Sequence, residues 1–200
     1  MRRLLPLALA CLLLAGCAQP VASEFTQARQ PFCASGGDPG TPFLVLMAQA
    51  VPSASQLPCV ELLPAGWSLS NAFVRDGRAR FALDSDRVGM QAVQVVLERT
   101  CQFEGDKVTR VPSDEPGMRR YEQIGEVRPG VGFTGTRFYL FKGGCVSYRF
   151  QFHGEERAEP IGEVTLALSF ISRDALRHLI RETTDGRAQL DLPTQAGSRQ

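Results

Sequence analysis

Between Trp67 and Leu97 apolar and polar positions alternate along the chain. Trp67, Leu69 and Phe73 are separated by Ser68, Ser70 and Ala72, and Phe81 and Leu83 resume the pattern with Arg80 and Ala82 between and beside them. A period of two is the pleat of a half-buried strand, with one set of side chains facing the core. Arg75-Asp76-Gly77-Arg78 separates the two runs, and Asp-Gly in that position is the dipeptide of a tight hairpin turn. A polar turn over 84–89 precedes Val93, Val95 and Leu97, which make a third strand. The pattern predicts an antiparallel meander.

A second β block follows the stretch 104–117, which reads as a loop. Residues 118–127 form its first strand, and 136–141 and 145–152 are joined across Lys142-Gly143-Gly144. In the last of these Val146, Tyr148, Phe150 and Phe152 share one face, and Cys145, Ser147, Arg149 and Gln151 share the other. One face is therefore dry and the other wet or half-wet.

The period then changes. Ile161, Val164, Leu168 and Ile171 follow helical spacing, although "VTLALSF" also reads as a strand. Ser172 is an N-cap for a second helix with Leu176, Leu179 and Ile180 as its apolar stripe, and Gly186 ends it. Upstream, "FLVLMAQAV" over 43–51 reads as a buried strand or a helix, and the helical spacing of Leu44, Met47 and Val51 before Pro52 favours the helix, while 52–67 is punctuated by Pro and Ser. The fold class is α+β: an antiparallel sheet of five or six strands with helices packed on one face.

The extreme N-terminus is patterned differently. Met1-Arg2-Arg3 precedes twelve apolar or small residues, Leu4 to Ala15. This is the charged and apolar layout of an export signal, and it is too short for a membrane span of about 20 residues. Leu14-Ala15-Gly16-Cys17 resembles the bacterial lipobox, which implies cleavage before Cys17 and acylation of its sulfur. One acyl chain anchors marginally and two or more hold stably, at about 0.8 kcal/mol for each buried CH₂. The implied organisation is a signal over 1–16, a lipidated N-terminus and tether over 17–42, one domain over 43–192 and a loose tail over 193–200. Residues 18–32 have a reach of roughly 20 Å if unconstrained.

Composition and charge narrow the function classes. Loss of Arg2 and Arg3 with the signal leaves 20 basic against 21 acidic residues, so there is no basic field to hold nucleic acid. Cys11 leaves with the signal and Cys17 takes lipid. The other four, Cys33, Cys59, Cys101 and Cys145, are spaced by 26, 42 and 44. Structural zinc needs close pairs, so these four read as two disulfides of an exported protein. Three pairings are open, and the strand ends at Cys101 and Cys145 favour that bond, leaving Cys33 with Cys59.

"LMAQAVPSASQLPCV", "LPAGW", "FALDSDRVGMQAVQVVL", "VPSDEPGMRRYE" and "GGCVSYRF" resemble a group of uncharacterised envelope proteins of GC-rich bacteria over about residues 43–185. Arginine outnumbers lysine twenty to two, in keeping with such a genome. The resemblance implies export and membrane attachment, and no activity.

Candidate chemistry is sparse. His153 follows a strand beside Gly154 and His178 lies in the last helix; neither belongs to a G-x-S-x-G or S-x-x-K pattern that would pair a base with a nucleophile. Asp84-Ser85-Asp86 offers two carboxylates to a cation, but also reads as a turn capped by its own acids. Ser113-Asp114-Glu115 is an acidic loop, next to Arg119-Arg120-Tyr121, which suits an anion or a charged strand edge. No metal or cofactor site is expected. The expected function is a non-enzymatic envelope lipoprotein, held to the bilayer through acylated Cys17, presenting a binding domain to an envelope protein or ligand. A small hydrolase acting on envelope glycan is the alternative, and a lipid carrier would need a hollow apolar core.

Overall fold

Val95 pairs with Tyr148, and through this contact the two alternating blocks become halves of one sheet. The computed structural model describes residues 31–33, 41–103, 107–128, 132–154 and 158–191. The signal, Cys17, most of the tether and the tail lie outside them. In chain order the elements are α1 (Thr41–Ala50), β1 (Gln56–Val60), β2 (Trp67–Arg75), β3 (Arg78–Ser85), β4 (Gly89–Glu98), β5 (Thr109–Val111) and β6 (Arg119–Arg128). Then come β7 (Gly132–Phe141), β8 (Gly144–Phe152), α2 (Ala158–Ala167), β9 (Leu168–Ser172) and α3 (Arg173–Thr183). Seven strands form an antiparallel sheet in the order β2-β3-β4-β8-β7-β6-β5, and β1 pairs with β9 in a separate two-stranded sheet.

The strand count corrects the expected five or six. β5 lies within the stretch read as loop, and its three residues, Thr-Arg-Val, are too few to show a period. β1 was hidden by Pro58, which a two-stranded ladder tolerates because its missing N–H costs little at an edge. The helical spacing over 161–171 stops at Ala167, and β9 takes over from Leu168, so both readings of "VTLALSF" hold for part of it. In β2 the register slips between Leu69 and Asn71; this bulge turns Ala72 and Val74 inward and leaves Phe73 half exposed on the opposite face.

One face of the large sheet carries the core. Leu83, Phe81, Val95, Leu97, Val146 and Tyr148 are buried there with Phe43, Leu44 and Met47 of α1, Val164 of α2, Leu176 and Ile180 of α3, and Leu57 of β1. Each such side chain contributes about 1.5–3 kcal/mol by leaving water. The C-terminus of α1, where helix carbonyls lack partners, is closed by two devices. Gly77, in the Asp76-Gly77 turn at a φ of 76°, donates its N–H to Ala50. Arg173, 2 % exposed, donates from its guanidinium to the carbonyls of Ala48, Val51 and Ala54. Burial pulls the Arg173 pKa below its ordinary value, and the negative end of the helix is what a cation suits.

Both disulfides hold connections against the sheets. Cys33 is bonded to Cys59 with a Cα separation of 4.8 Å, and Phe32 bridges to Val60 beside it. Cys101 is bonded to Cys145 with a Cα separation of 5.5 Å. This bond directs the chain after β4 onto the sheet's other face, where the Phe103 ring lies 5.0 Å from Phe138 and 5.6 Å from Tyr121. Among the described residues no helix is long and apolar enough to cross a membrane.

Candidate functional site

Cross-strand rows on the core face grade from apolar to charged. Ala72, Phe81, Val95, Tyr148, Arg137 and Glu122 are successive register partners, as are Val74, Ala79, Leu97, Val146, Tyr139 and Arg120. At the β6–β7 end a polar network is thus built into the buried side of the sheet. Glu122 Oε1 accepts from Arg137 Nε at 2.9 Å and pairs with Arg120 at 3.1 Å. Arg120 also holds Asp114 Oδ2 at 3.0 Å, while Asp114 Oδ1 accepts from the Tyr139 hydroxyl at 3.1 Å. Arg137 reaches across to the Thr165 hydroxyl of α2 at 3.1 Å.

Two carboxylates therefore stand near each other with a guanidinium between them. Burial pushes the Asp114 carboxyl up, but the hydrogen bond and charge of Arg120 outweigh it and hold the pKa below its ordinary value. Such a group does not donate protons at neutral pH. Burial, with the charges of Asp114 and Glu61, raises the pKa of Glu115, whose backbone is wrapped around the Ser113 hydroxyl. Burial also pushes the Tyr139 hydroxyl up to about 12 and the enclosed Tyr148 hydroxyl well above 10, the latter having no hydrogen-bond partner among the described residues. Asp114 and Arg120, singled out by sequence, meet here; Glu122, Arg137, Tyr139 and Tyr148 had not been singled out. In β6 and β7 polar and apolar residues stand on both faces, so alternation carried no signal for Glu122, Arg137 and Tyr139, and Tyr148 was legible only as part of the apolar face of β8.

The opposite face has a different chemistry. Gln94, Arg149, Thr136 and Gln123 are successive register partners across β4, β8, β7 and β6, and Gln151 pairs with Thr134 in the adjoining row. They line an open recess of about 360 Å³. Gly125 forms part of it; a Cβ there would collide with the Thr134 hydroxyl. Gln91 stands at one side with a φ of 48°, a left-handed conformation that disfavours a side chain. Asp84 accepts from the Gln91 N–H at 2.6 Å, and the Gln94 amide donates to Gln91 Oε1 at 3.1 Å. Arg149 is exposed and forms no ion pair with any described residue. The residues lining the recess include amides, hydroxyls, one cation and no carboxylate. They can exchange hydrogen bonds and attract an anion, and no carboxylate, imidazole or thiol is among them. Arg149 and Gln151 were legible as the polar face of β8; the Gln and Thr partners come from strands whose register only the fold reveals.

The remaining candidates are not brought together. His178 is exposed and faces Glu182 at 3.2 Å within α3, while exposed His153 packs over Gly89. Asp84 caps Gln91, whereas Asp86 lies against Gly66, and no group of three or more His, Cys, Asp or Glu converges among the described residues. Arg119 shares an edge recess of about 320 Å³ with Arg110 and Ser113, and Tyr121 contacts Phe103 on the open face. No protein-family model matches the chain, and no significant match to it is found among curated proteins or solved structures.

Proposed function

We propose that the protein is a non-enzymatic envelope lipoprotein, anchored through acylated Cys17 outside the cytoplasmic membrane, that binds a ligand on the open face of its sheet. The observation that carries this reading is the recess around Arg149, lined by amides and hydroxyls with no carboxylate and set where β4, β8, β7 and β6 run side by side. Strand-borne side chains are held rigidly, which suits recognition. Of the acidic loop, Asp114 has both oxygens engaged, by Tyr139 and Arg120, which leaves it no free oxygen for acid–base work on a glycan. Two disulfides accord with an oxidising compartment.

Two measurements test the reading. Cys17→Ser is expected to abolish acylation and move the protein from the detergent to the aqueous phase; unchanged partition would exclude the anchor. A photoreactive amino acid placed at Gln151 is expected to give adducts in intact cells, and one at Arg177 on α3 is not. Equal adducts at both positions, or none at Gln151, would exclude the open face as the binding surface.

A further inference from the structure

We propose that the ligand of the open-face recess is an acidic glycan, a hydroxyl-rich chain bearing a carboxylate; this rests on the binding reading above. The first reason is the match of groups. Glutamine amides and threonine hydroxyls each donate and accept, as sugar hydroxyls do. Gln94, Thr136, Gln151 and Thr134 provide four such groups in two adjoining rows. The second reason is charge. Arg149 is the one cation among the lining residues and no described acid neutralises it, so it is available to hold a carboxylate through paired N–H donors.

Topology argues against the competing ligand classes. An extended peptide adds to a sheet through a free strand edge. Here β5 covers only Arg120–Glu122 of β6, but Arg149 of β8 and Thr136 of β7 each have a register partner on both sides, so at the centre of the recess side chains and not a strand edge read the ligand. A nucleic acid needs several cations and stacking rings along its path, whereas the recess offers a single arginine. Its volume, about 360 Å³, lies in the lower part of the range of small-ligand sites, about 300–1,000 Å³. Gln91 supplies an independent sign. Its left-handed backbone sets its side chain against Gln94, which fixes the Gln94 amide at the head of the row. Strain of this kind collects where geometry serves binding.

The test is titration of the full-length chain in detergent with tri-galacturonate, its methyl ester, N-acetylglucosaminyl-N-acetylmuramic acid, maltotriose and a tri-aspartate peptide. At least one of the two acidic sugars should bind saturably, and the ester and maltotriose at least tenfold more weakly. The two acids separate a uronic from a lactyl carboxylate as the source of the charge. Arg149→Gln should bring acid binding down to the level of the ester, and Gln151→Leu should weaken every sugar. Both residues are exposed, and an unchanged unfolding midpoint would verify the fold. Failure of both acids to bind, indifference to both substitutions, or equal binding of tri-aspartate would overturn the proposal. Adducts at Gln151 in cells without acidic-glycan binding would remove the ligand class and leave the open-face reading standing; loss of both would remove both.

Discussion

The Tyr139 hydroxyl donates to Asp114 at 3.1 Å, so one loop acid is clamped between a buried phenol and Arg120. This pair gives stability two pH limits. Burial opposes ionisation of Asp114, but Arg120 lowers its pKa below the ordinary 3.8; the contribution is present above that value and is lost as pH falls through the folded one. Tyr139 is raised by burial to about 12. Between about pH 10 and 12 the unfolded chain has released a proton that the folded chain keeps, so stability falls as pH rises. Urea midpoints measured across pH should show Asp114→Asn flattening the acid limb and Tyr139→Phe reducing the alkaline slope. Wild-type slopes in both variants would show that the clamp does not couple to folding.

Tyr148 presents the opposite situation. Its hydroxyl is enclosed and unpartnered among the described residues, beside Tyr139 at a ring separation of 5.2 Å and stacked with Phe170. An unsatisfied buried polar group costs about 1–3 kcal/mol, and removing it while keeping the ring restores that amount. Tyr148→Phe should therefore raise stability by about 1–2 kcal/mol, read from the unfolding midpoint at constant m. A loss of stability would mean that the hydroxyl is satisfied in solution.

How far the sequence reached follows from the range over which each signal acts. The alternation in β8 and the Asp-Gly and Lys-Gly turns are local, and they appear where expected. The bulge at Leu69–Asn71 is not local in this sense: Phe73 and Ala72 exchange faces because Phe81 takes Ala72 as its partner. The same holds for the two polar surfaces. Arg149 and Gln151 are visible as alternate positions on one strand, but that Gln94, Thr136 and Gln123 join them depends on the pairing of β4 with β8 across about fifty residues. Asp114 and Arg120 were both conspicuous, and only their packing against Tyr139 shows that their charges are consumed internally.

The Cys101–Cys145 bond should matter mainly through the arm that it holds. The bond spans a sequence separation of 44, which the chain-entropy model converts into about 4 kcal/mol. Replacing both cysteines by serine should lower stability by roughly 2–4 kcal/mol. It should also increase hydrogen exchange over 101–103 and at Phe138, where Phe103 is seated. Exchange unchanged there would show that Phe103 holds its place without the bond.

Gln91 offers the sharpest separation of stability from binding. Its φ of 48° costs a non-glycine residue about 1–2 kcal/mol, whereas glycine adopts that conformation freely. The greater freedom of glycine in the unfolded chain returns about 0.4–1 kcal/mol of the gain. Gln91→Gly should therefore leave the protein as stable as the parent or up to about 1.5 kcal/mol more stable. The Asp84 contact survives in this variant because it uses the backbone N–H, but the side-chain acceptor that orients Gln94 is gone. Acidic-glycan affinity should fall several-fold while the unfolding midpoint holds or rises. A variant that binds as well as the parent would show that Gln91 has no part in recognition. One that loses stability would show that the Gln91–Gln94 amide contact serves the fold.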